Sequence, residues 1–110
     1  MLNLTKQQTI AEHRKMWRWI ADETKNRGRR VLKDEYFEAM NIPSENIPQA
    51  KCYCCEYDDS HCSKCPIEWD GDFGMCCNSD EQGLFEQWFR TTDPEKSEWL
   101  ARKIAELPER

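Results

Sequence analysis

The sequence predicts a mostly α-helical domain with a cysteine-rich insert that a single zinc ion staples. Helix-capping signals and apolar residues at helical spacing occur on both sides of a segment that holds five of the seven cysteines. No stretch outside that segment alternates like a strand, so the only β-structure expected is one short hairpin inside it. At 110 residues the chain is expected to form one domain in three parts. These are a basic helical pair (1–42), the metal insert (43–78) and a second helical pair (79–108).

The first helix is expected to begin at Thr5 or Thr9, because each opens a capping-box pattern. Gly28 is its expected end, since glycine readily adopts the left-handed conformation that closes a helix. Trp19 falls off the apolar stripe, so it either packs on a second element or is exposed for a partner. The predicted stripe contains Ile10, His13, Trp17, Ile20, Ala21 and Thr24.

Three further helices follow from the same signals. The second is expected at about Leu32–Met40 and is followed by a proline-containing loop over 43–51. The third is expected over Asp80–Arg90, and the fourth begins at Asp93 with a proline in its first turn and ends before Pro108. The residues predicted to form the buried, apolar sides of these helices are Leu32, Tyr36, Phe37 and Met40, then Leu84, Phe85, Trp88 and Phe89, which should face the core, and finally the stripe of Trp99, Leu100, Ile104 and Leu107.

The cysteines form two CxxC pairs, Cys52 with Cys55 and Cys62 with Cys65. Two such pairs supply the four thiolates that Zn²⁺ accepts in closed structural sites, and metal binding would add to the stability of a small core. The gap between the pairs is shorter than in zinc ribbons, so the possibility that one ligand comes from another part of the chain stays open. The alternative ligands are Cys54, His61, Cys76 and Cys77.

The cysteines are expected to be reduced, because seven is an odd number and fits a closed disulfide framework poorly. The stretch Met1–Lys15 lacks the continuous apolar run of a secretory signal, and no run approaches the roughly 20 residues that span a bilayer. We therefore expect a soluble cytoplasmic protein without membrane contact. Ferredoxin spacing is absent, which disfavours an iron–sulfur cluster.

No catalytic set is evident, so we expect the protein not to be an enzyme. A catalytic zinc keeps an open position and usually has several histidine ligands, whereas this chain has only His13 and His61. The deaminase pattern is missing, and the acidic residues of the insert lack EF-hand spacing. His13 lies on the apolar side of the first helix, where a packed core histidine is the expected role.

Charge is divided along the chain. Residues 1–34 have a net charge of +5, residues 35–82 of −9 and residues 83–110 of −1, within an overall −5. The acidic middle favours a basic protein surface as partner and repels phosphate. The alternative is nucleic-acid binding through the basic first third. The candidate partner-binding residues are Trp19, Arg29, Arg30, Asp58, Asp59 and Trp69.

The segments IAEHRKMWRWIA, CYCCEY, CSKCPIEW, GLFEQW and IAELP resemble, in order, a family of small cysteine-rich proteins from bacteriophages and prophages of Gram-positive bacteria. The resemblance covers most of the chain. It implies one cysteine after CPIEW, where this chain has Cys76 and Cys77. It also implies an accessory protein that acts in the cytoplasm of a bacterial host and binds, modulates or inhibits a host enzyme or defence factor.

Overall fold

The computed structural model describes residues 3–48, 51–58, 66–67 and 84–109, and it confirms the mostly helical prediction. The only β-pairing within these ranges is an isolated antiparallel bridge between Ile67 and Glu109. The zinc-stapled insert and its hairpin stay predictions, because most of the cysteine segment lies outside the described residues. The described helices are α1 Lys6–Arg27, α2 Lys33–Ala39, α3 Tyr53–Asp58, α4 Leu84–Arg90 and α5 Pro94–Ala105, with a 3-10 turn at Ser44–Asn46.

Both ends of α1 follow the predicted signals. The Thr5 hydroxyl accepts a hydrogen bond from the Gln8 backbone N–H at 3.1 Å, and the Gln8 side chain accepts one from the Thr5 N–H at 2.9 Å. At the other end Gly28 has φ 65°, and its N–H donates to the Thr24 carbonyl. The reciprocal cap satisfies two donors that lack helical partners, which fixes the start of the helix at the first of its two candidate positions.

The core forms around α1, which packs against α2, α3 and α5, while α4 packs against α5. The predicted stripe is buried along its full length, together with Met16. The ring of Trp17 meets Trp88 of α4 edge-on, with 4.7 Å between the ring centroids. Each buried side chain of this size stabilises the fold by about 1.5–3 kcal/mol, so the aromatic residues compensate for the chain's low apolar fraction.

The α2 helix buries Tyr36 and Phe37 against the core, but Leu32 and Met40 are 44% and 37% exposed. Placing these two residues on the apolar side was wrong, because they flank a short helix whose core side is covered by its two central aromatic residues. Trp19 packs on a second element, one of its two predicted outcomes. Its ring meets that of Tyr36 edge-on at 5.5 Å.

The α5 helix begins as predicted, with Asp93 accepting a hydrogen bond from the Glu95 N–H and Pro94 in the first position. Leu100, Ile104 and Leu107 are buried, but Trp99 is 55% exposed. Its assignment to the core was wrong. At 100° per residue Trp99 lies roughly 200° from the buried Ser97, so it lies on the opposite side of the helix.

The α4 helix buries Leu84 and Trp88, while Phe89 is 59% exposed. The prediction that Phe89 enters the core was therefore also wrong. The buried residues Leu84 and Trp88 are four positions apart and therefore lie on the same side of this seven-residue helix. Phe89 lies about 100° around the helix from Trp88 and so points away from that side. No helix in the described part of the chain is both long and apolar enough to cross a membrane.

Candidate functional site

The beginning of the cysteine segment is helical. Cys52 directly precedes α3, and its carbonyl accepts a hydrogen bond from the Glu56 N–H at 3.0 Å. Cys54 and Cys55 lie within α3, and the side chain of Cys55 is outside the described part of the structure. Cys52 is 6% exposed and Cys54 is fully buried. The predicted ligands Cys62 and Cys65, with the alternatives His61, Cys76 and Cys77, lie outside the described residues.

Cys54 lies beside His13, which belongs to the central helix α1. The Nδ1 atom of His13 is 3.7 Å from the Sγ atom of Cys54. The Nε2 atom of the same ring is 3.2 Å from the backbone carbonyl oxygen of Ile104 in α5. A carbonyl oxygen only accepts hydrogen bonds, so Nε2 carries the ring hydrogen and Nδ1 presents its lone pair towards Cys54. The cysteine segment is thereby connected to both long helices.

His13 is held in its neutral form. Burial lowers its pKa to about 4, against smaller opposing effects from Cys52 and from the hydrogen bond to Ile104. The ring is 1% exposed, which confirms the expected core position. An imidazole that is enclosed in this way does not reach an external substrate, and its neutral form is the one that coordinates metals.

Two of the predicted metal-site residues, Cys52 and Cys54, are thus buried within two residues of each other in the sequence. Among residues 3–48, 51–58, 66–67 and 84–109, no three His, Cys, Asp or Glu side chains converge on one point that suits a metal ion. The described residues therefore contain part of a candidate donor set. The four-thiolate site itself stays a prediction.

The candidate partner-binding arginines have structural contacts. Arg29 pairs with Glu35 through an N–O distance of 2.7 Å, and the pKa of Arg29 is raised mainly by that hydrogen bond. Arg30 donates to the carbonyls of Trp88 and Phe89. The side chain of Asp58, like residues 59 and 69, lies outside the described part of the structure.

An apolar groove of about 250 Å³ separates the start of α2 from α4. Leu32 and Phe89, two of the exposed large apolar residues, form part of its wall. Phe85 stacks against Phe89 with 6.1 Å between centroids, and the Lys33 ammonium lies 4.6 Å from the Phe85 ring centroid. We call this feature the Leu32–Phe89 groove. Its lining residues are Leu32, Lys33, Asp34, Lys51, Phe85, Trp88 and Phe89.

A second, more open groove of about 530 Å³ runs along the outer side of α1. It combines three cationic side chains with an indole ring and one acid that pairs with Arg102 across 3.0 Å. We call it the basic groove. Its lining residues are Ala11, Arg14, Lys15, Arg18, Trp19 and Asp22.

Comparisons with known proteins assign no relative. No protein-family model, curated protein or solved structure matches the chain. The candidate function therefore depends on the chemistry of the described residues and on the sequence.

Sequence reasoning missed the proximity of His13 to Cys54, which lie 41 residues apart. The stripe of α1 predicted that His13 is buried, and the cysteine count predicted a donor cluster. A buried imidazole without a polar partner is energetically costly, so the predicted burial of His13 could have indicated a polar partner such as one of the cysteines. Four apolar residues that were wrongly placed on the buried sides of their helices are further features of the surface that the sequence did not reveal: Leu32, Met40, Phe89 and Trp99.

Proposed function

We propose that this chain is a non-enzymatic module that holds one structural Zn²⁺ ion and acts by binding another protein. The observation that carries the proposal is the Leu32–Phe89 groove, where apolar and aromatic side chains are exposed on a protein that is otherwise highly charged. Exposed aromatic side chains in a concave setting are typical anchors of protein interfaces. A host enzyme or defence factor in the cytoplasm of a Gram-positive bacterium is the partner that the phage resemblance favours.

The chemistry of the buried donors supports the zinc part of the proposal. Cys52 and Cys54 place two sulfur atoms in the interior, and that of Cys54 lies 3.7 Å from the Nδ1 atom of the neutral His13 ring. Thiolate and imidazole are the ligands that Zn²⁺ prefers, and a buried thiolate needs a cation to offset the loss of hydration. Cys52, Cys55, Cys62 and Cys65 remain the proposed ligand set from spacing, and the ion would connect the cysteine segment to the helical core.

The role as a binding module is supported by the placement of the titratable groups. His13 is enclosed and neutral, which suits a structural or metal-binding role better than proton transfer with a substrate. The Leu32–Phe89 groove is open, and its wall contains Lys33 together with Lys51, whose ammonium pairs with Asp34. An apolar segment of the partner would fill this groove, with one carboxylate placed beside Lys33, while the basic surface expected of the partner would face the acidic middle of the chain.

The experiment combines metal analysis with a partner search. The purified chain is expected to contain one zinc per molecule and to show no visible absorption. In affinity purification from a Gram-positive host extract, wild type should recover one specific protein, and the double variant Leu32→Ser with Phe89→Ser should lose it. Trp99→Ser is the matched control, because it removes an exposed aromatic residue outside the groove.

Two outcomes would contradict the proposal. A brown, iron-containing preparation would exclude the zinc assignment. Recovery of no specific protein at any growth stage, or recovery that the groove variant leaves unchanged, would exclude binding through the Leu32–Phe89 groove.

The basic groove favours a second candidate, a small nucleic-acid-binding regulator. Arg14, Lys15 and Arg18 line it beside Trp19, which is the combination of cations and an aromatic ring that contacts single-stranded nucleic acid. Lys15→Glu with Arg18→Glu should abolish a salt-dependent shift of labelled DNA or RNA, whereas Lys96→Glu on α5 should not. Absence of any shift at low salt would remove this candidate.

A further inference from the structure

His13 is remote from the cysteine segment in the sequence but adjacent to it in the fold. The distance of 3.7 Å between its Nδ1 atom and the Sγ atom of Cys54 can be compared with the separation of two ligand atoms in a zinc site. With zinc–sulfur bonds of about 2.3 Å and zinc–nitrogen bonds of about 2.05 Å, tetrahedral coordination separates a nitrogen and a sulfur ligand by about 3.6 Å. The observed pair has the length of one edge of such a site.

The other side of the imidazole ring also fits a metal ligand. Nε2–H donates to the Ile104 carbonyl across 3.2 Å, so the hydrogen is on the nitrogen that faces away from Cys54. Metal-bound histidines almost always donate their second ring N–H to a carboxylate or a backbone carbonyl, which fixes the tautomer and the ring orientation. Here α1 supplies the imidazole and α5 supplies the carbonyl that orients it.

We propose that His13 is a metal ligand through Nδ1 and that Cys54 is its neighbouring thiolate ligand. This inference rests on the proposed zinc site and changes its composition, from four thiolates to a mixed nitrogen and sulfur set. The ion then connects α1 directly to α3. Cys54, fully buried in α3, takes the place that spacing alone gave to another cysteine.

The same 3.7 Å separation also suits a thiol that donates a hydrogen bond to an imidazole, so the test must distinguish the two. The wild-type chain is labelled with ¹⁵N and loaded with ¹¹³Cd²⁺, a stand-in for zinc. Long-range ¹H–¹⁵N spectra are expected to show ¹¹³Cd coupling to one Nδ1 nitrogen. The chain has only two histidines, and the coupling should persist in His61→Gln, which is the matched control.

Each outcome decides the inference separately from the proposed function. Binding of one ion without any nitrogen coupling, or with coupling that disappears in His61→Gln, would overturn the role of His13 and leave the zinc module standing. If the chain takes up no metal, both proposals fail. These measurements use the wild-type core, so they do not depend on whether a His13 variant folds.

Cys54→Ser tests the sulfur ligand. Loss of a residue that only hydrogen-bonds to a metal ligand typically weakens metal affinity by roughly 10-fold or more. Loss of a direct ligand is expected to weaken Co²⁺ affinity by at least as much and to reduce the sulfur-to-cobalt absorption band. Unchanged affinity and absorption in a folded Cys54→Ser protein would show that this thiol only donates a hydrogen bond, and would overturn its assignment.

Discussion

Arg30 donates hydrogen bonds from one terminal nitrogen to the carbonyls of Trp88 and Phe89, at 3.1 and 3.0 Å. Its guanidinium carbon also lies 5.7 Å from the centroid of the Trp88 ring. Carbonyls in the last turn of a helix lack helical partners, and a cation there complements the helix dipole. The residue therefore connects the segment that follows α1 to the end of α4, and it stabilises one end of the Leu32–Phe89 groove.

Arg30→Ala is expected to lower the free energy of unfolding by about 1–3 kcal/mol, because two carbonyls lose a charged donor. Urea denaturation followed by tryptophan fluorescence measures the change. Arg18→Ala is the matched control, since that exposed arginine lines the basic groove and should cost less than about 0.5 kcal/mol. Equal, small effects would show that the Arg30 contacts contribute nothing to folding.

Glu35 is expected to make stability depend on pH. Its carboxylate accepts hydrogen bonds from Arg29 at 2.7 Å and from the Leu32 N–H at 2.8 Å. The Arg29 hydrogen bond is the largest cause that lowers the pKa of Glu35 below its usual 4.5. A lowered acid pKa gives stability that is present above the unfolded value and is lost as the pH falls through the folded value.

Glu35→Gln keeps an acceptor for Leu32 but removes the charge. It is expected to cost about 0.5–1 kcal/mol at pH 7, with the difference from wild type vanishing in acid below the folded pKa. Unfolding curves across pH 2–7 measure it. Glu38→Gln, an exposed change on the same helix, is the control. A difference that stays constant down to the most acid samples would contradict the ionic explanation.

The left-handed backbone conformation at position 28 favours glycine. With φ 65° it closes α1, and a Cβ atom built there would meet nothing within 4 Å. Gly28→Ala should therefore cost about 1 kcal/mol from backbone strain alone, and Gly28→Asn should cost less because asparagine tolerates this region better. Thermal and urea unfolding compare the two variants. An alanine variant as stable as wild type would contradict the strain explanation.

Local chemistry made both ends of α1 and the start of α5 predictable, whereas the predicted start of the third helix at Asp80 lies outside the described residues. The capping pattern at Thr5, the glycine at 28 and the proline after Asp93 each act within a few residues, so the sequence contains the whole signal. Exposure was less predictable. Phe89 and Trp99 look like core residues by their chemistry, but which side of a helix is buried depends on how its neighbours are arranged.

The candidate site was likewise predictable only in part. The sequence predicted a cluster of donors from the cysteine count, and it predicted that His13 is buried from the period of α1. It did not predict that Cys54 lies beside His13, because that contact results from the packing of α3 on α1. The CxxC spacing describes local geometry only, and a ligand from a distant helix leaves no trace in it.

The buried hydroxyl group of Ser97 is expected to lower the stability of the fold. The residue is fully buried in α5, and its hydroxyl oxygen has no hydrogen-bond partner in the described part of the chain. Ser97→Ala removes an unsatisfied polar group and improves helix propensity, so it should raise the free energy of unfolding by about 0.5–2 kcal/mol.

Urea denaturation measures this gain, with Ser44→Ala at an exposed position as the matched control that should change stability by less than about 0.5 kcal/mol. The gain should also appear in the metal-free chain, because Ser97 faces the core from α5 and not from the cysteine segment. A destabilised Ser97→Ala protein would mean that the hydroxyl has a partner in the folded protein, and that this buried position is satisfied after all.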